Sequence, residues 1–126
     1  MKKIISRLLI ISALVFVSHS LSAQMPSASE RAMKQTNWMK SALKLTDDQA
    51  TKVQDINLKY ANKMDELHKS AATKDQKMAS MKTDEAAKDA EIKAVLNDSQ
   101  YKTYLQKKEE MKKEMKEKMK EKKGEK

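Results

Sequence analysis

Six methionines recur at helical spacing in the second half of this chain, each beside a lysine: Met64, Met78, Met81, Met111, Met115 and Met119. A thioether is flexible and polarizable, and suits a surface that must accept many apolar shapes. With lysines at its rim, such a surface could hold unfolded polypeptides weakly and release them without ATP. Met111, Met115 and Met119, with Lys108 and Lys112, are the candidate client-binding residues. The competing reading makes the methionines an ordinary core or dimer seam, and it is favoured for Met64, Met78 and Met81. Thioethers also suit copper(I), and Met78 with Met81, or Met111 with Met115 and Met119, could converge on one face. No histidine lies beside them, and His68 falls one residue past the apolar stripe at Leu67. No metal or other cofactor is therefore assigned.

Enzymatic chemistry has little to work with. The chain has no cysteine, no glycine-rich phosphate loop and no nucleophile constellation. Asp65-Glu66 and Glu109-Glu110 are adjacent carboxylates, but sequence neighbours on a helix point in different directions. The expectation is that the protein is not an enzyme.

The elements that would position the methionines are marked by two copies of one short pattern. Leu45-Thr46-Asp47-Asp48-Gln49 and Leu96-Asn97-Asp98-Ser99-Gln100 each place a capping side chain three residues before a glutamine. This is a capping box: the cap oxygen accepts from the third helical N–H, and the glutamine reaches back to the N–H of the cap. Acidic residues in each first turn suit the helix dipole. Leu45 and Leu96 stand where a hydrophobic staple begins. Thr46, Gln49, Asn97 and Gln100 are thus expected to determine the fold rather than to bind anything.

Between and around these starts the chain is almost free of helix breakers, with one proline, Pro26, and one glycine, Gly124. Its Ala, Lys, Glu, Met, Gln and Leu are strong helix formers. The periodicity predicts helix one over 29–43. A long helix two runs from Asp47 to about Met81, with room for a bend between Ala71 and Lys77. A turn falls near Lys82, where Thr83-Asp84 resembles a cap. Helix three covers about 84–96, and helix four runs from the second box towards Glu121. The expected architecture is all-α: a long bent antiparallel hairpin of helix two against a helix-three-plus-four unit, with a short N-terminal helix beside it. Residues 29–115 form the domain, and 116–126 form a Lys/Glu/Met tail, as a frayed helix or disordered.

The N-terminus predicts export. Lys2, Lys3 and Arg7 precede an apolar run, Leu8 to Val17, and a small-residue stretch ending at Ala23. That is the pattern of a cleavable signal peptide over 1–23, cut after Ala23, with 24–28 as a disordered lead-in. The apolar run is shorter than the ~20 residues a membrane span needs, so no transmembrane segment is expected after cleavage. Removing the segment lowers the formal charge from +9 to +6. Export and the lack of interleaved aromatics argue against nucleic acid. The basic balance fits solubility and attraction to acidic partners instead: unfolded acidic segments, anionic lipid headgroups or lipopolysaccharide. Any single lysine is more simply read as part of a solvated helix face. A domain this small buries a thin core, which makes a homodimer the expected support.

With these features in place the chain resembles the LTxxQ-motif family of periplasmic proteins, the Spy/CpxP-related group. Leu45-Thr46-Asp47-Asp48-Gln49 matches the motif in full, and Leu96-Asn97-Asp98-Ser99-Gln100 matches it with Asn for Thr. The resemblance covers roughly 43–113. Residues 89–96 also resemble short exported proteins of Bacteroidetes-like bacteria. The resemblance implies a bent hairpin pairing into an antiparallel, cradle-shaped homodimer in the periplasm, and a part in envelope stress response. For some members it implies ATP-independent chaperone activity. Regulatory binding of a membrane sensor, and less so metal response or buffering, are the alternatives it carries. The Lys/Glu/Met tail departs from the better-understood members.

Overall fold

A computed structural model describes residues 25–124. They form four helices, α1 (Ala28–Leu43), α2 (Asp47–Lys69), α3 (Lys74–Val95) and α4 (Asp98–Gly124), with no strand among the described residues. The fold is all-α. The proposed signal peptide, 1–23, lies outside the described residues. No described helix is long and apolar enough to cross a membrane.

Every helix starts on a capping box. Thr46 and Asn97 act as expected: Thr46 Oγ1 accepts from the Gln49 N–H at 3.2 Å, and Asn97 Oδ1 from the Gln100 N–H at 2.8 Å. Ser27 with Glu30 opens α1, and Thr73 with Gln76 opens α3, in the same geometry. The Thr73 box corrects the sequence reading, because the expected rod to Met81 ends at Lys69. Ser70 leaves the helix in an extended conformation, and Thr73 then satisfies the first amides of a new helix. The expected turn near Lys82 is absent, since α3 runs unbroken through it. Thr83 does not cap; its hydroxyl donates to the Ala79 carbonyl one turn back, at 3.1 Å. A threonine bonded this way satisfies its hydroxyl within the helix at only a slight cost to it.

The second correction concerns helix four. It does not extend helix three but folds back along it. Tyr104 and Lys108 of α4 reach Asp89, and Lys112 reaches Glu85. α1 and α2 are likewise antiparallel, with Arg31 donating to the Ala61 carbonyl (3.2 Å) and pairing with Asp65 at 2.5 Å. Lys59 pairs with Glu91 across α2 and α3. The result is an up-down-up-down arrangement of four helices rather than two long arms. Its core is Met39, Leu43, Leu45, Val53, Ile92, Leu96 and Tyr104. These residues gather where α1 turns into α2 and α3 turns into α4. Lys44, in the left-handed region at φ 53°, makes the first of those turns. α4 continues as a helix to Gly124, with every residue from Glu109 onward exposed.

Candidate functional site

The two sequence motifs meet. Gln49 Nε2 donates to Gln100 Oε1 at 2.8 Å, and Gln100 Nε2 donates back to Gln49 Oε1 at 3.1 Å. Each oxygen also accepts from the N–H of its own cap, Thr46 or Asn97, at 3.0 and 3.1 Å. Each amide nitrogen then closes the end of a helix in the other half of the chain. Gln49 bonds the Val95 carbonyl that ends α3, and Gln100 bonds the Leu43 carbonyl that ends α1. The pair answers carbonyls that a helix end leaves open. Leu45 and Leu96, the motif leucines, are buried beneath it. This end of the molecule is a clasp, which is a structural role. The capping signal was readable locally, but nothing local says that the two glutamines pair.

Away from the clasp the helices part. Gln100 is bonded to α1, but from Tyr104 onward the polar contacts of α4 with the body go to α3. Tyr104 donates to Asp89 Oδ1 at 2.7 Å, Lys108 pairs with Asp89 (2.6 Å) and Glu85 (2.9 Å), and Lys112 pairs with Glu85 (3.2 Å). Burial, then the Asp89 bond, pushes the Tyr104 hydroxyl far above the ordinary tyrosine value. The Lys108 hydrogen bond holds the Glu85 carboxyl below its ordinary value, and Lys112 adds to this. For Lys108, bonds to the two carboxylates outweigh burial and raise the ammonium. On α2, burial first, then the nearby carboxylates of Glu91 and Asp84, push the Tyr60 hydroxyl up to about 12.

The parting leaves a groove of 430 Å³ to which all four helices contribute. Its apolar lining comes from Trp38 of α1, Met64 and Leu67 of α2, Met81 of α3, and Met111 and Met115 of α4. Met81, Met111 and Met115 are also open to solvent at 37%, 40% and 61%. The expected continuous seam from Tyr60 to Met81 does not exist as one helix face. Its halves lie on α2 and α3 and face each other across this space.

Of the five residues picked for client binding, Met111, Met115, Lys108 and Lys112 line the groove and Met119 does not. Lys108, with its side chain only 16% exposed, is held by Asp89 and Glu85; it braces α4 rather than offering a free charge. Of the methionine sets considered for copper(I), Met81, Met111 and Met115 line the groove, while Met78 and Met119 lie outside its lining. Among the described residues no three His, Asp or Glu side chains gather as a metal site would require.

Two groove residues escaped the sequence reading. Asn57 is 1% exposed and follows Val53 on the buried stripe of α2. Lys88 stands four residues before buried Ile92 on α3, and its ammonium donates to Gln35 Oε1 at 2.9 Å. Asn57 is a polar residue at a core-facing position of an otherwise apolar period, a signal present in the sequence. Lys88 stands one turn after Asp84 and Glu85, so only its spacing from Ile92 points inward.

A family model described as "Domain of unknown function (DUF4890)" matches residues 19–104. No curated protein matches the chain, and no solved structure does.

Proposed function

From the premise that the chain belongs to the DUF4890 family, we propose that it is an exported, periplasmic stress-response protein that binds unfolded polypeptides without ATP, in the manner of a chaperone. The supporting observation is the groove: soft apolar side chains from four helices, partly open to water, bordered by charged residues. A pocket of this size, apolar with a few polar groups, has the character of a binding site. Methionine walls adapt to unlike sequences, as a promiscuous binder requires. Export is supported by Lys2, Lys3, Arg7 and the apolar run that follows them. The kinship proposed with the LTxxQ-motif family is supported by the two boxes. A homodimer would cover part of the apolar surface that one copy leaves open. On this reading the groove binds polypeptides without catalysing a reaction.

The test is aggregation suppression with two unrelated unfolding clients and no nucleotide. Suppression of both at near-stoichiometric amounts supports the proposal. Failure with both, together with tight binding to one folded envelope protein such as a membrane sensor, would replace it with a regulatory role. Sedimentation equilibrium at micromolar concentration tests the dimer, and a stably folded monomer would remove it.

A further inference from the structure

The groove's other cations are matched to carboxylates: Arg31 to Asp65, Lys108 to Asp89 and Glu85, and Lys112 to Glu85. Lys88 is different. Its ammonium crosses from α3 to the neutral amide oxygen of Gln35 on α1, and no ion pair among the described residues uses it. Burial holds it below the ordinary lysine range, and the charge of Lys108 pushes the same way, while Asp89 and Glu85 push against it. An ammonium partly withdrawn from water without a contacting anion is costly, and an incoming anion relieves that cost.

A second, independent group is unsatisfied in the same lining. Asn57 Nδ2 donates to Thr36 Oγ1 at 3.0 Å, while Asn57 Oδ1 has no hydrogen-bond partner and is buried. A buried acceptor without a donor is rare in folded proteins. The groove therefore offers a cation lacking an anion, an acceptor lacking a donor, and a thioether-rich wall. A fatty carboxylate would bring the anion and the apolar tail but no donor. A polypeptide brings all three: an acidic side chain, backbone N–H groups and apolar neighbours.

We propose that the groove selects, among unfolded polypeptides, segments with an acidic side chain inside an apolar run; Lys88 binds the carboxylate, and Asn57 Oδ1 accepts a backbone N–H. This inference rests on the polypeptide-binding reading above and adds a preference to it. Asn57 Oδ1 is closed to water, so the incoming segment must displace neighbouring side chains to reach it.

Trp38, the only tryptophan of the chain, lines the groove and reports occupancy through its fluorescence. The full-length protein is titrated with two synthetic peptides of one apolar sequence, carrying a central Glu or a central Gln. The Glu peptide is expected to bind more tightly, on the order of ten-fold, as a charge-assisted hydrogen bond allows. The preference should vanish in Lys88→Gln and survive in Lys88→Arg, with circular dichroism showing both variants folded. Equal affinities for the wild-type protein, which needs no variant, would overturn the Lys88 anchor while leaving the groove as a peptide site. A preference kept by Lys88→Gln would do the same. Binding of neither peptide would remove both this inference and the polypeptide-binding reading. Displacement of the Glu peptide by dodecanoate at concentrations far below that of the peptide would assign the groove to a lipid and overturn the proposal.

Discussion

The two ends of this helical body are built from the same residue types and do opposite things. At the clasp, Met39, Ile92, Val53 and Tyr104 are shut from water, and the Gln49–Gln100 pair joins all four helices. At the groove, Met81, Met111 and Met115 line the same bundle interior but stay open, and long charged side chains rather than close packing hold α4 to α3. The difference teaches that methionine periodicity alone does not separate core from binding surface. What separates them is how closely the helices are tied, and at the clasp end two amides join all four beside the buried core.

The comparison breaks first under core substitution. Ile92→Ala at the clasp end should cost ~2–5 kcal/mol, as buried large-to-small changes do. Met115→Gln at the groove should stay within ~0.5 kcal/mol, as exposed substitutions do. Urea midpoints at unchanged m-value give both numbers, and equal losses would erase the distinction between the ends.

The clasp itself is tested next. Gln49→Ala, Gln100→Ala and the double variant form a thermodynamic cycle, with an expected coupling of ~0.5–3 kcal/mol for groups in one hydrogen-bond network. Strict additivity would mean that the two amides act only as separate caps. Thr46→Ala should cost ~0.5–2 kcal/mol through its lost cap, and any loss of activity should follow the unfolded fraction.

How much of this was readable is decided by distance along the chain. Thr46 with Gln49 and Asn97 with Gln100 are caps on local spacing alone, and both appear as caps. Thr73 with Gln76 has the same spacing, but the helix formers on either side of it hid the break, and Thr83-Asp84 offered a false one. Met111 and Met115 were legible as a stripe. That they face Met64 and Met81 depends on α4 folding back, which is set by Asp89 and Glu85 meeting Tyr104, Lys108 and Lys112. Those contacts span 15 to 27 residues of sequence, and no local pattern encodes them.

A smaller effect should come from acid. Glu85 is held below its ordinary value of 4.5, chiefly by Lys108. Its contribution is therefore present above that value and lost as pH falls through the lower folded value. The melting temperature should drop below about pH 4.5, and Glu85→Gln should flatten part of the drop. Because Glu85 is substantially exposed, the change should be modest. Identical pH profiles for the two proteins would show that the α3–α4 brace contributes nothing measurable. Smallest of all, ending the chain after Lys116 removes the last described stretch of α4, residues 117–124, which is exposed throughout, and stability should shift by no more than ~0.5 kcal/mol.

The central claim is that the open end binds clients while the clasp holds the fold. It is tested most directly by changing Met81, Met111 and Met115 together to Gln and measuring aggregation suppression beside the melting temperature. Glutamine keeps helix propensity close to that of methionine while removing the soft apolar surface. The account predicts a variant that is still helical, melts close to the wild-type protein and no longer suppresses aggregation. Undiminished suppression by the folded variant would contradict it.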